Sequence, residues 1–141
     1  VNVEVKEEKS NITSSDYNTF EGKNALIVDD SKLNLKVAEN VLKNFLVTTE
    51  SVTSGLECLS CVNSKKYDII FMYIMMPNMS GEEVLRKLRE NGVNTPVIAL
   101  TADAIEGQEE KYMSEGFDGY ISKPINKEKL SYVLNKYLGG K

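Results

Sequence analysis

The sequence predicts an α/β protein with a doubly wound, five-stranded parallel sheet in the order 2-1-3-4-5 and helices on both faces. Two observations support this fold class. Apolar runs of strand length alternate with amphipathic helical segments from Lys23 onward, and polar residues follow the first and last of these runs. Alternation of strands with helices is typical of β-α units, whose parallel strands are buried on both faces and therefore apolar throughout.

The first half of the chain contains three predicted strands and two helices. Residues 25–28 form an apolar run, and Ser31 is the expected N-cap of the first helix. Apolar residues then recur at three- to four-residue spacing, as one buried helix face requires: Leu35, Ala38, Val41, Leu42 and Phe45. Residues 47–52 are predicted as the second strand, 55–64 as the second helix and 69–73 as the third strand.

The second half continues the same alternation. A serine-glycine-glutamate start at residues 80–83 opens a helix that extends through Glu90, and residues 96–100 form the fourth strand. A helix over 104–114, a short strand over 119–122 and an amphipathic helix over 127–138 complete the pattern.

The connectivity predicts a site at the carboxyl edge of the sheet. In this strand order, ligands bind outside the carboxyl ends of strands one and three. Asp29 and Asp30 follow strand one, and Tyr73 ends strand three. Thr101 at the end of strand four and Lys123 at the end of strand five complete a ring of polar residues around this crevice.

Length and composition set limits on the function. The 141 residues suit one globular domain, with 41% hydrophobic and 27% charged residues. The formal net charge of −4 argues against nucleic-acid binding and favours a protein partner. The sequence contains no long apolar run and no signal-peptide pattern, so we expect no membrane contact by this segment and a cytoplasmic location.

The amino-terminal residues 1–22 differ from the rest. Valines alternate with polar residues over 1–5, and residues 10–21 have a polar linker composition. We therefore predict a linker or the tail of a preceding domain over 1–22 and the globular domain over 23–141. Cys58 and Cys61 have C-x-x-C spacing, but they lie within a predicted helix without histidines or a second pair, so small core residues are favoured over a zinc or redox site.

Four motifs occur in the order found in one family. These are Asp29-Asp30 after an apolar strand, Met75-Met76-Pro77-x-Met79-Ser80-Gly81, Ala99-Leu100-Thr101-Ala102, and Tyr120-Ile121-Ser122-Lys123-Pro124. Together they resemble the receiver domain of response regulators in two-component signalling, which has a flavodoxin-like fold. The resemblance covers Lys23 to about Leu138. The stretch 30–38 is similar to receivers fused to hybrid sensor histidine kinases, which would make 1–5 the end of a kinase domain and 10–21 a tether.

The resemblance implies a role for each polar residue. Receivers accept a phosphoryl group from a phosphohistidine on an aspartate carboxylate. By resemblance, Asp30 binds Mg²⁺ directly, Asp29 binds it largely through water, and Met75 contributes its backbone carbonyl. Lys123 and Thr101 would stabilise the phosphoryl oxygens. Tyr120 would be the aromatic switch coupled to Thr101, and the partners would be a histidine kinase domain, a histidine phosphotransfer protein, or both.

Tyr73 occupies the position where the family has its acceptor aspartate. A phenol, with a pKa of about 10, is neutral near pH 7, so the site would lose one negative charge and one metal ligand. A phenol also cannot form an acyl phosphate. We therefore expect the isolated domain to be unphosphorylatable and not an enzyme by itself, and its Mg²⁺ affinity to be weakened.

Three explanations for this tyrosine can be compared. A shifted register that makes Asp68 the acceptor conflicts with its place at the start of the strand. A degenerate receiver could serve as a phosphorylation-independent interaction module. A recent or deliberate substitution in a working receiver is slightly favoured, because Asp30, Thr101 and Lys123 are all present.

Two other function classes share parts of the pattern. A flavodoxin-type small-molecule binder needs a phosphate loop after strand one, where the two aspartates would repel a phosphate. A haloacid-dehalogenase-like phosphatase needs a second acid two residues after its nucleophilic aspartate, and Lys32 occupies that place.

Overall fold

The computed structural model describes residues 19–101, 108–122 and 125–138, and the predicted amino-terminal segment lies almost wholly outside them. Within this part of the chain, strands and helices alternate strictly. They are β1 (Asn24–Val28), α1 (Lys32–Lys43), β2 (Thr48–Val52), α2 (Gly55–Ser64), β3 (Ile69–Tyr73), α3 (Gly81–Glu90), β4 (Val97–Thr101), α4 (Gln108–Ser114), β5 (Gly119–Ser122) and α5 (Lys127–Tyr137).

The five strands form one parallel sheet in the order β2-β1-β3-β4-β5, which confirms the predicted 2-1-3-4-5 arrangement. The chain passes outward from β1 to β2 and then crosses to the other side of β1 to form β3. This reversal of direction places a crevice between the carboxyl ends of β1 and β3, as expected for a doubly wound sheet.

Alternate residues of each strand contribute to two separate hydrophobic clusters. Ile27, Phe71 and Leu100 pack with α1 and α5 on one face of the sheet. On the other face, Leu26 and Met72 pack with α2, α3 and α4. Because a strand side chain alternates between faces, a sheet buried on both sides requires the continuous apolar runs found in the sequence.

Polar side chains fix the starts of four helices. Ser31, Ser54, Ser80 and Asn126 each accept a hydrogen bond from the backbone N–H three residues further on. Such N-caps satisfy helix N–H groups that have no partner within the helix. The predicted helix openings at Ser31 and Ser80 are therefore confirmed.

A few element bounds differ from the predictions. Strand β4 includes Thr101, and β2 begins one residue later than predicted. Helix α1 ends at Lys43, so the buried Phe45 lies beyond the helix rather than on it. Residues 104–107 of the predicted fourth helix, and Lys123 with Pro124, lie outside the described residues.

Candidate functional site

The carboxyl ends of β1, β3 and β4 bring together polar residues that are far apart in the sequence. The N–H of Asp29 donates to the carbonyl of Val52 at 3.2 Å, and the N–H of Ile74 donates to the carbonyl of Leu100 at 3.2 Å. Sheet pairing thus continues one residue beyond β1 and β3. As a result, the backbones at Asp29, Tyr73 and Thr101 end side by side at the predicted edge.

Two adjacent carboxylates occupy the β1 side of this edge. Asp29 is 1% exposed, and its Oδ1 accepts the N–H of Ser31 at 2.9 Å, which holds the turn into α1. Asp30 is exposed. The described residues contain no group of three or more His, Cys, Asp or Glu side chains placed to hold a metal ion. The charged oxygen donors of the described residues on this side of the edge are therefore the carboxylates of Asp29 and Asp30.

Tyr73 ends the central strand and is half-buried, with contacts to both hydrophobic clusters. Gly81, the first residue of α3, lies directly against its backbone: a Cβ at Gly81 would be 2.7 Å from the carbonyl oxygen of Tyr73. The N–H of Gly81 also donates to the carbonyl of Ile74 at 3.0 Å. The loop that follows β3 therefore folds back tightly and fixes the position of residue 73.

Met75 and Asn78 shape that loop. The side chain of Met75 is 73% exposed, so its place in the loop is set by the backbone and not by side-chain burial. Asn78 adopts a left-handed conformation with φ of 70°, which asparagine tolerates better than most residues.

Thr101 lies on the other side of Tyr73, at the end of β4. It is 6% exposed, and its Oγ1 accepts a hydrogen bond from the hydroxyl of Tyr112 at 3.4 Å. The ring of Tyr112 in turn lies 6.1 Å from the ring of Tyr120, which is half-buried on β5. Thr101 and Tyr120 are therefore linked through a second tyrosine on α4.

Sequence reasoning singled out Thr101 and Tyr120 but missed Tyr112. The sequence feature that could have drawn attention to Tyr112 is its large aromatic side chain on the predicted helix before the fifth strand. Periodicity can place such a residue on the buried face of a helix, but it cannot identify the hydroxyl that its phenol contacts. Lys123, the predicted cation of the site, lies outside the described residues.

The structure places the C-x-x-C pair away from this edge. Both cysteines lie inside α2, with Cys58 buried and Cys61 half-buried, and neither forms a disulfide. Burial raises the pKa of the Cys58 thiol to about 12. A redox-active cysteine has a lowered pKa, so this geometry supports small core residues.

A separate cluster of titratable groups joins β2 to the segment between α2 and β3. Glu50 accepts hydrogen bonds from the ammonium of Lys65 and the hydroxyl of Tyr67. These hydrogen bonds lower the pKa of Glu50. Burial, together with the hydrogen bond to Glu50, raises the pKa of Tyr67. The cluster thus anchors the outer strand and does not contribute to the polar edge.

Among the described helices, none is both long enough and apolar enough to cross a membrane.

Comparison with known proteins identifies relatives of this chain. A family model for the response regulator receiver domain matches residues 25–135. The polar-differentiation response regulator DivK of Brucella ovis is 36% identical over 119 residues, covering 83% of this chain and 97% of that protein. Histidine kinase 3 of Arabidopsis thaliana is 34% identical over 143 residues, covering 85% of this chain and 14% of the kinase. The chain thus spans a small part of the plant kinases that it matches.

Solved structures agree with these relationships. The receiver domain of sensor histidine kinase PA1611 from Pseudomonas aeruginosa PAO1 was crystallised with a magnesium ion coordinated in its active site cleft. It superposes on this chain with a TM-score of 0.75 at 30% identity, covering 84% of this chain and 99% of that receiver. A Francisella response regulator receiver domain gives a TM-score of 0.73 at 28% identity.

Proposed function

Because this chain belongs to the response regulator receiver family of two-component signalling, we propose that it is the receiver of a hybrid sensor histidine kinase with a blocked acceptor. In this proposal, Tyr73 occupies the place of the phosphoacceptor aspartate. Residues 23–141 are the receiver, and residues 1–22 connect it to a preceding kinase domain in the cytoplasm. Similarity to plant histidine kinases supports the hybrid origin.

The observation that carries the proposal is the position of Tyr73. It ends the central strand, with Asp29 on one neighbouring strand end and Thr101 on the other. In the receiver family, the acceptor aspartate projects from the end of this strand. A neutral phenol there provides neither a carboxylate nucleophile nor an acyl phosphate product.

The donor atoms at this edge fit a hydrated magnesium ion. Mg²⁺ binds hard oxygen ligands and often retains several waters, with one or two carboxylates from the protein. Asp30 would bind it directly, Asp29 largely through water, and the backbone carbonyl of Met75 would complete the protein ligands. When bound, the ion supplies positive charge for phosphoryl oxygens. Without an acceptor carboxylate at residue 73, the site binds it more weakly than a site with three carboxylates.

The remaining polar residues act on phosphoryl oxygens. Thr101 would donate its hydroxyl to one oxygen, and Lys123 would supply a cation. Tyr120 would report the movement of Thr101 to the surface formed by α4, β5 and α5. A groove of about 420 Å³ lies on that surface and is lined by residues of all three elements, which makes it the proposed output surface.

In the receiver family, a partner brings a phosphohistidine to this carboxyl edge, so a surface that this chain keeps for such a partner should surround the edge. Exposed apolar residues lie there. Leu33 and Val37 lie one turn apart on the outward side of α1, 74% and 40% exposed, and Met75 follows β3. Large exposed apolar side chains grouped near a reactive edge are typical of interaction sites. We assign this surface to the histidine-bearing domain of a kinase or phosphotransfer protein.

Reversion of Tyr73 tests the proposal. The unaltered chain and the Tyr73→Asp variant are incubated with Mg²⁺ and acetyl phosphate, and the protein-bound phosphate is assayed for stability to acid and base. We expect base-labile phosphate on Tyr73→Asp alone. Tyr73→Asn is the matched control, because it has nearly the same shape as the revertant but no nucleophilic carboxylate.

Two results would contradict the proposal. Base-labile phosphate on the unaltered chain would show that residue 73 is not the acceptor position. A folded Tyr73→Asp variant that remains unlabelled would identify an interaction module that lacks the chemistry for other reasons. Mg²⁺ titration followed by NMR adds a second readout, since the signals of Asp29 and Asp30 should saturate at lower Mg²⁺ in Tyr73→Asp than in the unaltered chain.

A further inference from the structure

Helix α4 contacts the polar edge through one buried hydroxyl. Of the α4 side chains that the structure describes, at residues 110–114, only Tyr112 is buried, and it is 6% exposed like Thr101. Its hydroxyl donates to Thr101 Oγ1 at 3.4 Å. Both side chains are buried, so this contact joins α4 to the threonine out of reach of bulk water.

The direction of this hydrogen bond constrains the proton of Thr101. A hydroxyl group carries one donor hydrogen and two acceptor lone pairs. With Tyr112 donating to one lone pair of Oγ1, the Thr101 hydroxyl can donate its own hydrogen to another acceptor. Thr101 ends β4, beside the end of β3, so the crevice lies within reach of that hydrogen.

The contact is long enough to tighten. An O–H···O hydrogen bond is optimal at about 2.7–2.8 Å, and hydrogen bonds at reactive sites are often longer before the reactants bind. A second acceptor for the Thr101 hydrogen would polarise its oxygen and strengthen the bond from Tyr112. A phosphoryl oxygen in the crevice would be such an acceptor.

The ring of Tyr112 is held by two other aromatic side chains. Phe117 packs edge-on against it with ring centroids 6.1 Å apart, and Tyr120 packs at a tilt of 43° at the same separation. A rotation of Tyr120 into or out of the core would therefore change its contact with the ring that carries the hydroxyl bonded to Thr101.

We propose that Tyr112 is a positioning residue. Its hydroxyl orients Thr101 toward phosphoryl oxygens in the crevice, and its ring couples Thr101 to Tyr120. The phosphoryl part of this inference rests on the proposed function. The contacts that join Thr101, Tyr112 and Tyr120 are present in the unaltered chain. The coupling between these residues can therefore be tested separately from phosphorylation.

The first experiment uses the unaltered chain and requires no phosphorylation. A double-mutant cycle combines Tyr112→Phe with Thr101→Val, each of which removes a hydroxyl at nearly constant shape, and measures the unfolding equilibrium by urea. We expect a coupling of about threefold to tenfold in the unfolding constant, as is typical of one buried hydrogen bond. Additive effects of the two substitutions would overturn the proposal.

The second experiment measures the rate of labelling by acetyl phosphate in the Tyr73→Asp background. We expect Tyr112→Phe to slow labelling about tenfold and to have no further effect once Thr101→Val has removed the threonine hydroxyl. Tyr67→Phe is the matched control, because it removes another buried tyrosine hydroxyl that bonds to Glu50, remote from the crevice. It should lower stability without changing the labelling rate.

The outcomes separate the two proposals. A revertant that is not labelled at all would refute the proposed function, and the coupling measured in the unaltered chain would then decide the role of Tyr112 alone. Equal slowing by Tyr112→Phe with and without the threonine hydroxyl would overturn the positioning role, as would slowing by Tyr67→Phe of the same size.

Discussion

Replacement of Gly81 by alanine tests how the end of the central strand is fixed. A Cβ at this position would lie 2.7 Å from the carbonyl oxygen of Tyr73, 3.0 Å from Cα of Ile74 and 3.1 Å from the Met72 side chain. The first two atoms belong to the backbone and cannot rotate away. Either the start of α3 or the end of β3 must therefore move by several tenths of an ångström.

Two opposing effects determine how much unfolding free energy the Gly81→Ala substitution should cost. Overpacking a well-packed site costs about 1–3 kcal/mol, and the upper part of this range applies here because the clash is with backbone. Alanine in a helix recovers up to about 1 kcal/mol relative to glycine. The net loss should be about 2 kcal/mol in the free energy of unfolding, or about 8 °C in Tm for a domain of this size.

Urea unfolding measures this loss, with Gly119→Ala as the control. The nearest atom to a Cβ at Gly119 is 3.4 Å away, which is an ordinary van der Waals contact. Gly119 begins β5, and alanine loses less backbone entropy on folding than glycine, so this variant should be no less stable than the unaltered chain. A Gly81→Ala variant within about 0.5 kcal/mol of the unaltered chain would refute the close approach to Tyr73.

Three further predictions concern features outside the site. The guanidinium of Arg89 donates to the carbonyls of Val93 and Thr95 and to the carboxylate of Asp118. A lysine cannot make these hydrogen bonds together, so Arg89→Lys should lower the free energy of unfolding, measured in urea, by about 1–2 kcal/mol. A thiol reagent should label Cys61 but not the buried Cys58 in the folded protein, and both after denaturation; rapid labelling of Cys58 would contradict its burial. In a pH series of urea unfolding, the lowered pKa of Glu50 gives stability that is present above its unfolded pKa and lost as the pH falls through its folded pKa. The raised pKa of Tyr67 gives stability that is lost only at strongly alkaline pH. In a plot of unfolding free energy against pH, Glu50→Gln should therefore reduce the loss of stability at acid pH, and Tyr67→Phe should reduce the loss at alkaline pH.

The parts of the fold predicted from the sequence are those with a strong local signal. The apolar runs around Ile27 and Phe71 indicated buried parallel strands, and Ser31 and Ser80 marked two helix starts that the structure confirms. Phe45 followed the helical spacing although α1 had already ended, because a residue just beyond a helix can still pack on the same face.

The parts that could not be predicted depend on contacts between distant residues. The hydrogen bond from Tyr112 to Thr101 joins α4 to the end of β4. The hydrogen bond from Tyr67 to Glu50 joins the segment before β3 to β2. Neither follows from periodicity, since each requires the register of the sheet and the rotamers of both side chains. The sequence alone also left the close approach of Gly81 to Tyr73 unseen.

Main-chain hydrogen bonds hold the chain on both sides of the loop that follows Tyr73. The N–H of Ile74 bonds to Leu100, and the N–H of Gly81 bonds to Ile74. We therefore expect replacement of the side chain at residue 73 to change charge and nucleophilicity while these main-chain hydrogen bonds remain. The ring of Tyr112 also has contacts of its own, with Phe117 and with Tyr120 on β5. The proposed loss of an acceptor at residue 73 and the proposed output surface therefore call for separate measurements, labelling for the first and partner binding for the second.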